Sequence, residues 1–232
     1  MKDRSFDPAN EAEFDAVADG YEAMHQKSIA ASGEDPAYFA RYKRDVLVRL
    51  FGAAQGQPIL DFGCGIGNLT SLLSPAFREV HGYDPSSRSV AHARERAPGA
   101  RFYERVDDIP KSTFGIAVLA NVLHHVPPAE RRELVAEVAA RLLPGGHLVV
   151  FEHNPLNPLT RKAVADCAFD KDAVLLRSSE TRGLLRGAGL EGVRREYIVF
   201  FPKVLAALRG LEPRLAALPL GAQYVALGRK SG

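Results

Sequence analysis

The sequence predicts an α/β fold in which one mostly parallel sheet of seven strands is covered by helices on both faces. Three observations indicate this fold. From Gln57 onward, short apolar runs alternate with helical stretches. Most of the runs are apolar throughout, which is typical of strands that are buried on both faces. A glycine-rich segment follows the first run and precedes a helix, at the kind of turn where open α/β sheets bind ligands.

The first 55 residues are predicted to form a helical cap in front of this sheet. A first helix is indicated by apolar side chains that recur at helical spacing, at Phe14, Val17, Ala18, Tyr21 and Met24. Gly33 ends this segment. Asp35 and Pro36 then provide the N-cap and first position of a second helix, whose apolar stripe is Phe39, Tyr42, Val46 and Leu50.

The seven predicted strands are residues 58–62, 79–83, 100–103, 114–120, 146–151, 193–201 and 223–227. The last two are expected to form a hairpin-like pair. Residues 143–146 are predicted to stop a helix just before the fifth strand. A helix is expected over residues 178–189, and an amphipathic helical insert over residues 204–218. No internal repeat is visible, so we expect a single domain 1–232, divided into the cap (1–55), a core (56–155) and a substrate-side region (156–232).

Composition restricts the function classes. The chain of 232 residues carries a net charge of +2 with its arginines scattered, so we expect no nucleic-acid partner. The two cysteines form neither a metal-ligand spacing nor a disulfide framework. The N-terminus is charged, with no apolar run after it, and no run of about 18 apolar residues occurs. The sequence therefore predicts a soluble, cytoplasmic protein without a membrane span.

The glycine-rich segment carries the strongest functional signal. Asp61 ends the first strand, and Gly63, Gly65 and Gly67 follow it before a helix that begins near Asn68. Glycine allows a tight turn and a close approach of backbone to a ligand, and a helix N-terminus offers N–H groups to an anionic group. Asp84 ends the next strand, where an acidic residue typically holds the two hydroxyls of a ribose.

A nicotinamide-dependent oxidoreductase is the main alternative for such a loop. The dinucleotide pattern would require glycine at position 68, but Asn68 stands there and the third glycine is Gly67. Asp61 would also repel a pyrophosphate, whereas its carboxylate suits the ammonium and sulfonium charges of S-adenosylmethionine. A further alternative is a non-catalytic protein that binds this cofactor without turnover.

Five segments resemble the class I S-adenosylmethionine-dependent methyltransferases, in particular their small-molecule group with a helical N-terminal cap. The segments are residues 14–21, 61–67, 82–86, 121–126 and 143–146. The resemblance covers about residues 10–155 well and the remainder loosely. It implies a Rossmann-like seven-stranded sheet with an antiparallel last strand, S-adenosylmethionine as cofactor, and a small-molecule acceptor.

The resemblance also implies the cofactor-binding residues. The methionine part would contact Asp61, Gly63, Cys64, Gly65 and Asn121, and the ribose and adenine would contact Asp84 and Pro85. The chain departs from the family after the third strand, where an ungapped alignment places Arg105 at the position of an acid that meets the adenine amine. Asp107 or Asp108 could take the place of that acid, or Ile109 could contact adenine through its backbone alone, and we assign Asp108 to the contact.

Acceptor-side residues are expected at the carboxyl ends of the fourth and fifth strands. A base is required only if the nucleophile must lose a proton, as a hydroxyl must, and histidine can supply one near neutral pH. We predict His125 and His153 as candidate bases, with O-methylation as the favoured reaction and no metal. Substrate-binding candidates are Tyr21, Tyr38, His124 and Asn154.

Each acceptor-side candidate also has a structural interpretation. The histidines could bond backbone within their loops, and the tyrosines could pack the cap on the sheet. The insert 204–218 could close the pocket as a lid or contact a second subunit, and its Arg209, Glu212 and Arg214 disfavour membrane binding. The chain is thus expected to be a monomer or a homodimer.

Overall fold

The computed structural model describes residue 29 and residues 32–52, 56–167 and 170–232. Its centre is a seven-stranded sheet in the order β3-β2-β1-β4-β5-β7-β6. Strands β1 to β5 pair in parallel, and β7 runs antiparallel to both β5 and β6. The strands are β1 (Ile59–Phe62), β2 (Val80–Tyr83), β3 (Arg101–Tyr103), β4 (Phe114–Ala120), β5 (Leu142–His153), β6 (Leu190–Ile198) and β7 (Gln223–Lys230). The predicted fold class is confirmed, including the antiparallel last strand.

Helices cover the sheet on both faces. They are α1 (Pro36–Phe51), α2 (Asn68–Leu73), α3 (Ser87–Arg96), α4 (Arg131–Arg141), α5 (Pro158–Ala165), α6 (Ser178–Gly187) and the short α7 (Glu212–Leu215). α1 and α2 pack together on one face, where Leu47 and Leu73 are fully buried. α4 and α6 pack on the other, where Val138 and Leu185 are fully buried. The central strands β1 and β4 are buried along nearly their whole length because both of their faces lie in a core.

Helix α1 begins where the sequence predicts. The Asp35 carboxylate accepts a hydrogen bond from the Tyr38 N–H at 2.7 Å, and Pro36 occupies the first turn. Val46 is buried among the residues of the sheet face, as the predicted stripe requires. The predicted first helix and the candidate Tyr21 lie outside the described residues.

Two elements differ from the sequence prediction. Residues 143–146 lie inside β5 instead of stopping a helix, since a register shift between β4 and β5 and a positive φ of 80° at Gly145 let the strand begin at Leu142. The insert 204–218 is mainly a 3₁₀-helix, Lys203–Leu211, which is broken by the backbone of Leu205 before α7. Across the described part of the chain, none of the helices is both long and apolar enough to span a membrane.

The carboxyl ends of β1, β4 and β5 form one edge of the sheet, since these three neighbouring strands are parallel. The loop after β1, the turn after β4 and the end of β5 therefore lie side by side. Helix α1 lies over the same part of the sheet, with Lys43 buried on its inner side.

Candidate active site

Each glycine of the loop between β1 and α2 has a positive φ, with 78° at Gly63, 52° at Gly65 and 81° at Gly67. A Cβ at Gly63 would lie 2.6 Å from a methyl carbon of Val122, and one at Gly67 would lie 2.9 Å from the Cα of Ala93. Both glycines are therefore required by packing. A Cβ at Gly65 would meet no described atom within 4 Å, so the loop is open at this position and a ligand can approach its backbone.

Asp61 is the penultimate residue of β1, next to this loop. One carboxylate oxygen, Oδ2, accepts a hydrogen bond from the Thr70 hydroxyl at 2.7 Å. The other, Oδ1, is buried and has no partner among the described residues. Burial raises the pKa of Asp61 to about 6, although the Thr70 hydrogen bond and the nearby Lys43 ammonium lower it. A buried carboxylate oxygen without a donor is the group that a ligand ammonium would satisfy.

Asn121 follows β4 and provides a second unsatisfied oxygen. Its backbone has a φ of 61°, and its N–H donates to the carbonyl of Phe151 at 2.9 Å. The side-chain Oδ1 is buried and has no partner among the residues that the structure describes. The residue after it, Val122, packs against Gly63, so Asn121 stands beside the loop. Two oxygens that accept no hydrogen bond thus occupy adjacent strand ends.

Asp84 follows β2 and is bonded to the loop. One of its oxygens accepts a hydrogen bond from the Gly65 N–H at 2.8 Å, and the other accepts from the Ser86 N–H at 3.0 Å. A carboxylate offers about four lone-pair positions, so Asp84 retains capacity for ligand hydroxyls. Pro85 is partly exposed next to it. The open Gly65 position, the two unsatisfied oxygens and Asp84 fit the ammonium and ribose groups of S-adenosylmethionine.

Three predicted cofactor residues are placed less favourably. The Cys64 side chain is buried beside Gly82, its N–H donates to the Tyr83 carbonyl, and its carbonyl accepts from the Gly67 N–H. Asp108 is exposed at the end of a 3₁₀-turn. Ile109 is buried in the core, its N–H donates to Val106 and its carbonyl accepts from Arg141, so the expected backbone contact with adenine is not available in this arrangement.

The acceptor side contains a cluster of charged groups around His124. Its Nδ1 lies 2.6 Å from the Glu152 carboxylate, and its Nε2 lies 3.5 Å from Oδ1 of Asp170. Glu152 is fully buried and also accepts a hydrogen bond from the Leu123 N–H at 2.7 Å. Burial alone would lower the pKa of His124, but the two carboxylates raise it to about 9. In the absence of another cation, His124 is therefore an imidazolium that neutralises buried carboxylate charge.

The two predicted bases, His125 and His153, flank this group. Nε2 of His125 lies 3.4 Å from the same Asp170 oxygen. The His153 ring centroid is 5.1 Å from that of His124. Burial, together with the positive charge of His124, lowers the pKa of His125 to about 4 and that of His153 to about 3. Both rings are neutral at physiological pH and face the edge where the acceptor is expected.

Two predicted substrate residues, His124 and Asn154, are buried in this structure. His124 is only 2% exposed and Asn154 only 1%, so neither can reach a substrate without rearrangement. The Asn154 amide donates to the carbonyls of Pro219 and Gly221, and its oxygen accepts from the Leu156 N–H. Asn154 therefore ties the end of β5 to the loop before β7. Tyr38 is half-buried with its ring beneath the Arg209 guanidinium, and it packs α1 against the 3₁₀-helix.

Three residues that the structure brings to this edge were not among the predicted site residues. Lys43 is buried, and burial lowers its pKa to about 8 against the opposing effects of Glu152 and Asp61. Glu152 and Asp170 bracket His124. Two aspartates near position 170 were visible in the sequence, but no local pattern connects that segment to the turn after β4. The contact between Asp170 and His124 forms only because the chain after α5 folds back onto the turn that follows β4.

A family model described as a methyltransferase domain matches residues 37–194. Among curated proteins, an uncharacterized methyltransferase of Geobacillus kaustophilus is 30% identical over 77% of this chain and 79% of its own. A trans-aconitate 2-methyltransferase of Mycobacterium marinum is 32% identical over 62% of this chain and 59% of its own. The match to the first relatives spans about three fifths to two thirds of their length.

Among solved structures, the fold is similar to that of magnesium protoporphyrin IX methyltransferase from Synechocystis PCC 6803 with bound S-adenosylmethionine. The TM-score is 0.67 at 16% identity, covering 99% of this chain and 100% of that one. An O-methyltransferase family protein from Burkholderia thailandensis gives a TM-score of 0.64 at 17% identity, covering 84% of this chain and 57% of that one. At these identities the similarity is one of fold.

Proposed function

Because the chain belongs to the methyltransferase domain family, we propose that it transfers the methyl group of S-adenosylmethionine to an oxygen of a small-molecule acceptor. The observation that carries the cofactor assignment is the pair of buried, unsatisfied oxygens, Oδ1 of Asp61 and Oδ1 of Asn121, beside the opening at Gly65. A pyrophosphate at this position would face the Asp61 carboxylate, which disfavours a nicotinamide cofactor.

The chain's residues would hold the cofactor by complementary charge. Asp61 and Asn121 would accept hydrogen bonds from the ammonium group, and Lys43 would attract the carboxylate of the methionine part. Asp84 would accept hydrogen bonds from the ribose hydroxyls, and Pro85 and Asp108 would lie towards adenine. When bound, S-adenosylmethionine supplies an electrophilic methyl group on a positively charged sulfur. The protein's task is to align the acceptor with this group and exclude water, and alignment alone can contribute about 7–11 kcal/mol.

The acceptor would bind over the ends of β4 and β5. A hydroxyl acceptor must lose a proton, which His153 or His125 could accept because both rings are neutral. A carboxylate acceptor is already ionised and requires no base. The relatives named for trans-aconitate support an acceptor of the second kind, a small organic acid. We therefore propose a soluble small-molecule acceptor with a carboxylate or hydroxyl oxygen.

Calorimetry with S-adenosylmethionine tests the cofactor assignment. Asp61→Asn keeps an oxygen for the Thr70 hydroxyl but removes the charge, and Asp84→Asn does the same beside Gly65. A lost hydrogen bond to a charged group corresponds to about 10–100-fold weaker binding. The matched control is Asp45→Asn, an exposed carboxylate on α1. No binding by the native protein, or equal affinity in all three variants, would reject the assignment.

A second experiment addresses the acceptor. Release of S-adenosylhomocysteine is measured against separate pools of small organic acids, alcohols and phenols, and amines. If only the organic acids are methylated, the rate should be unchanged in His153→Asn. If alcohols or phenols are methylated, the rate should fall in this variant and its pH profile should shift. Transfer to amines alone would reject the oxygen assignment while leaving the cofactor assignment intact.

A further inference from the structure

We propose that His124, His125 and Asp170 form a binding site for a divalent transition-metal ion such as Zn²⁺. The Nε2 atoms of both histidines point towards one atom, Oδ1 of Asp170, at 3.5 Å and 3.4 Å. Within the described ranges, these three residues bring together the donor atoms of a candidate ion site, all within 4.8 Å of one another. The proposal does not rest on the proposed methyl transfer, because none of the three residues is assigned to the cofactor.

The separations favour a shared ion over direct hydrogen bonds. Two ligands of a tetrahedral zinc with bonds of about 2.0–2.1 Å lie roughly 3.3–3.4 Å apart. A direct N–H···O hydrogen bond is shorter, about 2.7–3.2 Å between heavy atoms. The two observed distances to Asp170 lie close to the first range and beyond the second. Each histidine nitrogen is thus spaced from the Asp170 oxygen as two neighbouring ligands of one ion are.

Glu152 orients one of the ligands. Its carboxylate lies 2.6 Å from Nδ1 of His124 and keeps a hydrogen on that nitrogen, so Nε2, which lies on the Asp170 side, is the nitrogen that an ion would bind in place of its proton. Glu152 is itself fixed by the Leu123 N–H. A carboxylate that accepts from the outer nitrogen of a ligating histidine is a recurring arrangement around protein-bound zinc.

Backbone contacts position Asp170 independently of its charge. The N–H of Val174 donates to the His124 carbonyl at 2.8 Å, which pins the segment after α5 to the histidine turn. The Arg131 guanidinium donates both to the Val174 carbonyl at 2.6 Å and to the Val126 carbonyl at 3.0 Å, which clamps the two segments together. The site is therefore built before an ion binds.

The donor set indicates the class of ion. Two imidazoles and one carboxylate suit Zn²⁺, Co²⁺ or Fe²⁺, whereas Mg²⁺ and Ca²⁺ prefer sites made of oxygen ligands. Three protein ligands leave at least one position for water or another ligand. The side chains of His125 and Asp170 are 19% and 13% exposed, so an ion can enter from solvent. An acceptor oxygen bound over β4 and β5 could take the open position.

Titration of the chelator-treated full chain with Co²⁺ tests the site, read by visible absorption and calorimetry. We expect one equivalent to bind, with the absorption of a Co²⁺ ion ligated by nitrogen and oxygen, and Zn²⁺ to displace it. Asp170→Asn and His125→Gln should each weaken binding at least about tenfold, in the range seen for the loss of a supporting group at a metal site. His92→Gln on α3 is the matched control and should bind normally.

Circular dichroism and S-adenosylmethionine affinity establish that each variant is folded. If Asp170→Asn does not fold, His125→Gln still tests whether the ion binds at this site. A metal-dependent rise in the melting temperature of the native chain provides a second measure of binding. Absence of stoichiometric Co²⁺ and Zn²⁺ binding by the folded native protein would overturn the proposal. Binding by Asp170→Asn and His125→Gln as tight as that by the native protein would overturn it as well. The cluster would then be the His124 imidazolium held between the Glu152 and Asp170 carboxylates.

Discussion

The glycine loop after β1 and the histidine cluster after β4 lie at the same sheet edge but are built differently. The loop is contiguous, and its shape follows from three positive φ angles within five residues. The cluster is assembled from the turn at His124, the end of β5 at Glu152 and the segment containing Asp170. A contiguous site can be recognised from a sequence, whereas a site assembled from distant segments requires the fold.

The two regions also differ in how their buried charges are satisfied. Asp61 leaves one oxygen without a partner among the described residues, so the loop region needs a ligand to complete its hydrogen bonding. Glu152 and Asp170 already contact His124, so the cluster is neutralised internally or by an ion. Changes in the cluster should therefore affect mainly stability, and polar changes in the loop region mainly binding.

The largest expected effect is that of Glu152→Ala. It leaves the Leu123 N–H unbonded and removes a buried partner of His124. Breaking a buried ion pair from one side costs about 3–5 kcal/mol of unfolding free energy. Urea denaturation followed by circular dichroism measures the loss. The control Glu191→Ala removes an exposed carboxylate and should change stability by about 0.5 kcal/mol or less. A loss below about 1 kcal/mol for Glu152→Ala would show that the cluster does not depend on this charge.

Gly67→Ala should have the next largest effect. This substitution adds a side chain to the loop region without changing its charge, so it should lower the free energy of unfolding. The left-handed backbone costs about 1–2 kcal/mol for alanine, and the contact with Ala93 adds about 1–3 kcal/mol. The same denaturation experiment should show a loss of about 2–5 kcal/mol. Gly99→Ala, where a Cβ meets nothing within 4 Å, is the control. Equal stability of the two variants would contradict the assigned packing role of Gly67.

The fold and the conformation of the glycine loop could be predicted from the sequence for physical reasons. Strand identity follows from continuous apolar runs, and the start of α1 follows from the Asp35 cap. The loop glycines are constrained by their own backbone conformation, so their role is local. Asp61 was identifiable because it directly precedes this loop.

The acceptor side was predicted less well because burial and pairing depend on tertiary contacts. His124 and His125 are adjacent in sequence, yet one is fully enclosed between carboxylates and the other partly exposed. Asn154 follows β5 as expected for a site residue, but its side-chain amide is hydrogen-bonded to the loop before β7. The burial of Lys43 beside two carboxylates depends on how α1 lies on the sheet.

The pH dependence of cofactor affinity sharpens the contrast between the regions. The pKa of Asp61 is raised to about 6, so the ligand-free protein protonates it below that pH. Because the ammonium group favours the ionised carboxylate, affinity should fall as pH drops through about 6, approaching about tenfold per pH unit. Lys43 stays protonated in this range, since its pKa is about 8. Calorimetry from pH 7.5 to 5 should show the decline in the native protein and a flat profile below pH 6 in Asp61→Asn. A decline that persists in this variant would assign it to another group.

The smallest expected effect belongs to Asp108→Asn, which tests the far end of the cofactor region. Asp108 is exposed, so a hydrogen bond from the adenine amine to its carboxylate competes with water and is worth about 0.5–1.5 kcal/mol. Affinity for S-adenosylmethionine should therefore fall about 2–10-fold, less than for Asp84→Asn, while stability is unchanged. Competition between adenosine and inosine analogues of the cofactor gives a second readout, because inosine lacks the amine. If the native protein and the variant discriminate equally between the two, Asp108 does not contact adenine. Exposure, rather than position in the sequence, then limits which of the predicted residues can contribute to binding.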